Sequence, residues 1–165
     1  MQLTANFTLA ELEYSAKAEA LGISNRAPHD HQLALRALAT HVAQPIRDHV
    51  GPMRVSSGYR SAALNAATPN ASKTSQHLRG EALDFVPLRM NMLEVFNWII
   101  QSNIPFDQII AEHFTKSGKP NAHGMWIHIS HSLHGPQRRK ITSCVKRTVK
   151  GKLIDVYVDG LVFES

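Results

Sequence analysis

The stretch that decides the fold is SQHLRGEALD, residues 75–84. It places an imidazole, His77, seven positions before a carboxylate, Asp84, and Gly80 permits a tight turn between them. The apolar-rich residues 82–86 predict a strand that presents Asp84 on one face. A turn leading into a strand can fold His77 back over Asp84, whereas a helix would separate the same residues by two turns. We therefore expect an imidazole and a carboxylate to face each other where this strand begins.

A second stretch, WIHIS at 126–130, predicts another strand because its apolar and polar residues alternate. Ile127 and Ile129 would face the core. His128 would lie on the opposite, polar face beside Trp126, whose position favours the wall of a cleft.

A third stretch, FDQIIAE at 106–112, consists of an apolar strand over 106–111 followed by a carboxylate, Glu112. Pairing of this strand with the strand at 125–130 would carry Glu112 towards His128. A carboxylate in that place is suited to take a proton from water as a general base.

Zinc is the metal that these residue types suit. The chain has ten His but one Cys, so a Cys-rich zinc finger and an internal disulfide are excluded. His77, Asp84 and His128 would bind zinc tetrahedrally and leave the fourth position for water, while Arg60 would supply a positive donor for an oxyanion. Taken singly, however, such a His–Asp pair is usually a loop hydrogen bond, and a lone strand His is usually a packing or surface residue.

Length and composition fit one folded domain. A chain of 165 residues, 43% hydrophobic and 19% charged, can bury a core and is unlike disordered or collagenous sequences. No apolar run approaches the roughly 20 residues of a membrane span. Residues 1–15 lack the basic start and apolar core of a signal peptide.

Helices are predicted first along the chain and strands later, which favours an α+β fold over a doubly wound one. Thr8 begins a helix at 9–20, and Asp30 is the candidate cap of a second helix that runs to Val50 and breaks near His41, because Pro45 lies inside it. The remaining predicted elements are a strand at 53–57, a short helix at 61–66, a helix at 92–101 and two β segments at 140–149 and 153–163.

Basic residues are concentrated at the C-terminal end. Of the formal net charge of +5, residues 136–165 contribute +4, with 7 basic and 3 acidic side chains. Such a segment either favours an anionic partner or is the solvated face of a terminal hairpin. We expect a catalytic domain at 1–135 and a basic β extension at 136–165 that belongs to the same domain.

Five boxes in this sequence, in order over residues 5–131, resemble a known family. Residues 75–84 carry the pattern S-x-H-x-x-G-x-A-x-D of the zinc D-Ala-D-Ala carboxypeptidases, and W-x-H stands at 126–128. NFTLAE at 6–11, PIR at 45–47 and SSGYR at 56–60 look like its phage and bacterial branch. The same hedgehog/DD-peptidase fold group contains the L-Ala-D-Glu endopeptidases of phage lysins, the vancomycin-resistance dipeptidases and the hedgehog signalling domain.

The resemblance implies a fold in which N-terminal helices pack on a central, mostly antiparallel sheet that carries a zinc site. It implies metal ligands at His77, Asp84 and His128, and it implies that Arg60 steadies the substrate or the tetrahedral intermediate. Some branches place an acidic residue three positions before the last His, where this chain has Met125. The general base is therefore expected at Glu112, with His113 and His123 as rivals, and the expected substrate contacts are Ser75, Tyr59 and Trp126.

The expected function is zinc-dependent hydrolysis of a stem-peptide amide bond of peptidoglycan, by a phage endolysin-like, monomeric carboxypeptidase or endopeptidase. The protein, phage-encoded or bacterial, would be made in the cytoplasm without a visible signal peptide and act on the cell wall. Met125 favours the alternative, a binding module of the same fold without catalysis. Nucleic-acid binding ranks last because residues 136–152 lack interleaved aromatic residues and a recognition motif.

Overall fold

The computed structural model describes residues 1–164. A helical layer comes first, and two of its expected features differ from the structure. The helix expected over 9–20 is two helices, because Tyr14 is extended and the Ser15 hydroxyl accepts a hydrogen bond from Ala18 N that begins the second one. The next helix follows Pro28 rather than an Asp30 cap. The helices are α1 (Leu9–Glu13), α2 (Ala16–Ala20), α3 (His29–Leu38), α4 (Gln44–Val50), α5 (Ala62–Ala67) and α6 (Met92–Gln101).

The break expected near His41 is confirmed. A π-helical turn, Ala39–Ala43, joins α3 to α4 directly before Pro45. Proline has no N–H to donate and its ring crowds the carbonyl four residues earlier, so a widened turn accommodates it.

The strands of the described chain form one six-stranded sheet in the order β1-β2-β4-β3-β5-β6. All neighbouring strands are antiparallel except β3 and β5, which are parallel. The α+β class and the mostly antiparallel sheet are therefore confirmed. The strands are β1 (Met53–Ser57), β2 (Ala82–Pro87), β3 (Gln108–Glu112), β4 (Trp126–Ser130), β5 (Lys140–Val149) and β6 (Lys152–Asp159).

The two faces of the sheet differ in chemistry. One face packs against the helical layer, with α6 lying on β2 and β4, and its side chains are fully buried and apolar, such as Phe85, Ile127 and Ala111. Because side chains alternate along a strand, the register places Asp84, His128 and Glu112 on the other face. The core thus fixes the strands rigidly and leaves the polar face for a site.

Within residues 1–164, the helices are too short or too polar to cross a membrane.

Candidate metal centre

Three side chains, two from strands and one from the 3-10 helix before β2, meet on the polar face of the sheet. Asp84 and His128 are directly opposite each other in the β2–β4 register, and Nδ1 of His128 lies 2.8 Å from Oδ1 of Asp84. Nε2 of His77 lies 3.2 Å from Oδ2 of the same carboxylate. The three possible ligand atoms are all within 4.8 Å of one another. The structure therefore brings together the three residues that the sequence singled out as ligands.

His77 is positioned by the turn that precedes β2. It lies in a 3-10 helix, Gln76–Arg79, which ends at Gly80 with φ +71°. A side chain at Gly80 would be strained by this φ, and its Cβ would lie 2.5 Å from the carbonyl oxygen of His31. The expectation that a glycine is needed between the imidazole and the carboxylate thus has a structural basis.

A backbone hydrogen bond orients the ring of His77. Its Nδ1 is 2.6 Å from the carbonyl oxygen of Gly58, which can only accept, so Nδ1 carries the proton and donates. The other ring nitrogen, Nε2, then faces Asp84. This is the arrangement by which a second hydrogen bond fixes the tautomer and direction of a metal-binding imidazole.

The Asp84 carboxylate is held in its charged form. Burial alone would raise its pKa, but His77 and His128 outweigh burial through their charges and hydrogen bonds, so the pKa lies well below the usual range. The side chains of the three residues are 4%, 13% and 12% exposed for His77, Asp84 and His128. Two ring nitrogens and one carboxylate, nearly buried and open on one side to a cleft, fit zinc with a free fourth position.

That cleft has a volume of about 240 Å³. Arg60, Glu112 and Trp126 line it together with the three residues above. Two further strands contribute side chains that sequence reasoning did not assign to the site: Cys144 on β5, and Asp155 and Tyr157 on β6. Only the pairing of β3 with β5 and of β5 with β6 brings them here, and no local motif signals it.

Arg60 is anchored at the mouth of this cleft. Its backbone N–H donates to the carbonyl of His77. Its guanidinium donates to Ser57 Oγ at 3.4 Å and to Asn65 Oδ1 at 3.3 Å, and it lies 4.0 Å from Asp84 Oδ2. The side chain is thus held as a fixed positive group beside the candidate metal ligands.

Glu112 is a buried carboxylate on the last position of β3. Burial raises its pKa to about 7, although His128 opposes this shift. A carboxyl group whose pKa is near neutral can both accept and return a proton.

The two rival bases are placed less favourably. Nδ1 of His113 is 2.8 Å from Glu164 and Nε2 is 3.6 Å from Asp155, so both ring nitrogens face carboxylates. His123 is exposed and is not among the side chains that line the cleft in the described chain. Glu112 is therefore the candidate base that the geometry favours.

Glu112, His113 and Cys144 form a second buried group whose ligand atoms lie within 4.8 Å of one another. The nitrogens of His113 already face Glu164 and Asp155. Burial raises the pKa of the Cys144 thiol far above its usual value, so the thiol stays protonated. Because both ring nitrogens of His113 already face carboxylates, this set is a poorer match for a metal than His77, Asp84 and His128.

Two predicted substrate contacts lie away from the cleft. Tyr59 is part of the buried core, with its ring 5.7 Å from that of His31, and its backbone N–H donates to Leu12 O. Ser75 directly precedes the 3-10 helix and is not among the described side chains that line the cleft. Of the three predicted contacts, the structure brings only Trp126 to the site.

A larger, open cavity of about 590 Å³ adjoins the site and shares His128 with it. Its other walls come from the 3-10 helix and the loop before it, from the start of β3 and from residues 132–138. An extended substrate passing His128 has room on both sides.

A family model described as peptidase M15 matches residues 5–130. The chain belongs to the peptidase M15 family. This M15 chain is thereby assigned to a family of zinc-dependent metallopeptidases that contains the zinc D-Ala-D-Ala carboxypeptidases, as the boxes in the sequence indicated. No curated protein matches it closely enough to count as a relative. The matched range includes Arg60, Glu112 and the three candidate ligands. It ends before β5 and β6, so Cys144 and Tyr157 line the cleft from outside the matched range.

Proposed function

We propose that this protein is a zinc-dependent peptidase that hydrolyses a stem-peptide amide bond of peptidoglycan. The observation that carries the proposal is the convergence of His77 Nε2, Asp84 and His128 Nδ1 at the floor of a cleft that also holds Glu112 and Arg60. The M15 membership supports the metallopeptidase class, and the choice of peptidoglycan follows the family.

In this proposal His77, Asp84 and His128 hold the metal. Zinc, when bound, lowers the pKa of a water molecule to about 7 and polarises a carbonyl group. The Gly58 carbonyl accepts the Nδ1 proton of His77 and so directs Nε2 of the ring at the site. The low pKa of Asp84 keeps its carboxylate charged at neutral pH, so the donor set is ready without prior loss of a proton from that group.

Glu112 is the proposed general base. It takes a proton from the attacking water and gives it to the amine that leaves when the amide bond breaks. Its burial beside the ligands excludes bulk water as a competing acceptor, and the raised pKa of about 7 suits both transfers.

Arg60 is proposed to hold the negative charge that develops on the carbonyl oxygen or the free carboxylate of the stem peptide. Its contacts with Ser57 and Asn65 fix the guanidinium before substrate arrives, and preorganised donors stabilise a developing charge most. Trp126 is proposed as a wall against the peptide. Ser75 and Tyr59 are proposed to act through the loops they hold rather than by direct contact.

A binding module without catalysis is the second candidate. One observation favours it: Met125, a buried thioether, stands where some branches of the family carry an acid. The binding module would keep the fold with or without the metal, so turnover is the property that separates the two candidates.

The test is digestion of purified peptidoglycan by the zinc-loaded chain, followed by mass spectrometry of the soluble products. Release of free D-Ala would indicate a carboxypeptidase, and release of longer peptides an endopeptidase. A His128→Ala variant is the control, because it removes one ligand from a strand that the core still holds. Equal product patterns from both proteins would contradict the proposal.

We also propose that residues 136–165 complete the domain that residues 1–135 begin, since β5 pairs with β3 along Gln108–Glu112 in one sheet. The chain would act on the cell wall as a monomer, in an endolysin-like role. Measurement of the molecular mass in solution tests the monomer. Lysis of bacterial cells by protein added from outside tests the endolysin-like role.

A further inference from the structure

A row of four side chains crosses the sheet at the cleft. The registers pair Trp126 with Glu112, Glu112 with Cys144, and Cys144 with Tyr157 on β6. Directly paired residues project from the same face of a sheet. Tyr157 therefore stands on the same face as Glu112, two strands away, although about 45 residues separate them in sequence.

Tyr157 lines the cleft although much of the residue is open to solvent. The residue is 59% exposed, yet it borders the cleft together with Arg60 and Glu112. In the β5–β6 register it is paired directly with Cys144, which also lines the cleft. Tyr157 therefore borders the space that a ligand in the cleft would occupy.

The groups around this phenol keep it neutral. Its partial burial and the nearby charge of Glu112 raise the pKa of Tyr157 far above its ordinary value. A protonated phenol is a hydrogen-bond donor at neutral pH.

We propose that Tyr157 is a catalytic residue supplied by the C-terminal extension: its hydroxyl donates a hydrogen bond to the carbonyl oxygen of the scissile amide as negative charge develops there. This inference rests on the proposed function. Tyr157 keeps its proton throughout, and Glu112 carries out the proton transfer. Arg60 and Tyr157 are then two hydrogen-bond donors, one charged and one neutral. Arg60 follows β1 at one edge of the sheet, and Tyr157 lies on β6 at the other edge.

Residues 140–159 thereby acquire a role that the charge pattern did not predict. The hairpin of β5 and β6 is more than a basic edge, because it closes the cleft on the side away from β1 and β2.

The experiment compares Tyr157→Phe with the wild type, both loaded with zinc. The variant removes the oxygen atom alone and keeps the ring. Loss of one oxyanion donor costs on the order of 100-fold in kcat, so we expect a fall of about that size with KM and zinc content nearly unchanged. Tyr14→Phe, at an exposed tyrosine outside the cleft, is the matched control and should behave as wild type.

A second readout does not depend on turnover. Binding of a phosphinate peptide that mimics the tetrahedral intermediate should weaken in Tyr157→Phe by a factor similar to the loss in kcat, whereas binding of the cleaved peptide product should not change. Equal weakening of both ligands would mean that Tyr157 only shapes the cleft and would overturn the inference.

The two proposals fail in different ways. A wild type that releases neither D-Ala nor a peptide and binds no phosphinate would overturn the proposed function and this inference together. An active wild type with an equally active Tyr157→Phe variant would overturn this inference alone.

Discussion

The ring of His77 and the backbone of Gly58 are joined by a 2.6 Å hydrogen bond, which orients the imidazole from the loop after β1. That loop is itself packed tightly: a Cβ at Gly58 would lie 2.3 Å from the carbonyl oxygen of Leu12. The direction of a candidate metal ligand thus depends on a glycine about twenty positions earlier in the chain.

Gly58→Ala should weaken zinc binding. The added methyl group forces the loop away from Leu12, so the carbonyl no longer holds Nδ1 of His77, and loss of such an outer hydrogen bond typically costs about 10–100-fold in metal affinity. Competition with a chromophoric chelator measures the affinity. Gly151→Ala, where a Cβ meets nothing within 4 Å, is the control for backbone strain in a hairpin and should leave zinc binding unchanged.

Metal content should be about one zinc per chain. His77, Asp84 and His128 form a complete set of three ligands, whereas the Glu112–His113–Cys144 group has a protonated thiol and an engaged imidazole. Elemental analysis after mild purification should therefore give about one equivalent for the wild type and for Cys144→Ala, and much less for Asp84→Ala. Two equivalents, or loss of zinc in Cys144→Ala, would assign a metal to the second group.

Glu112→Gln should stabilise the metal-free protein at high pH. The pKa of this carboxyl group is raised by burial from 4.5 to about 7. The folded state therefore binds more protons than the unfolded state between these values, so stability falls as pH rises through them. Below about pH 4.5 the Glu112 carboxyl group is protonated in both the folded and the unfolded state. Its replacement by Gln then removes no buried charge and gives no gain in unfolding free energy.

Denaturant titrations of the two metal-free proteins at pH 4 and pH 8 measure this difference. A gain in unfolding free energy at pH 8 that is absent at pH 4 is the expected result. An equal effect at both pH values would show that burial does not raise the pKa of the Glu112 carboxyl group.

Arg60→Lys should lower activity without releasing zinc. Lysine keeps the positive charge, but its single ammonium group cannot contact both Ser57 and Asn65 as the guanidinium does. It also lacks the planar set of donors that the guanidinium offers to a substrate. We expect kcat to fall by about 10- to 100-fold. Lys17→Arg, on the exposed α2, serves as the control for a basic substitution.

The sequence alone could predict that the three candidate ligands lie together because each is positioned by a local feature. The turn at Gly80 and the alternation in WIHIS each place one imidazole, and the strand after Gly80 places Asp84. The sequence did not predict the interruption of the first helix, because a serine at position 15 is compatible with a continuous helix. In the structure its hydroxyl instead caps the start of α2. The burial of Tyr59 could not be predicted because a motif does not reveal which of its side chains packs inward.

The C-terminal contribution was out of reach for a different physical reason. The parallel pairing of β3 with β5 brings Cys144 beside Glu112, and the pairing of β5 with β6 then brings Tyr157 to the cleft. A strand shows which residues share its face, but not which strand will be its neighbour.

The most direct test of the central claim is release of new amino groups from purified peptidoglycan by the wild type and by Glu112→Gln, each shown to carry one zinc. Loss of a general base costs about 10²- to 10⁴-fold. We predict rapid release by the wild type and a loss of that size in the variant, with zinc retained. Release at the same rate by both proteins would contradict the role of Glu112, and release by neither would contradict the peptidase itself.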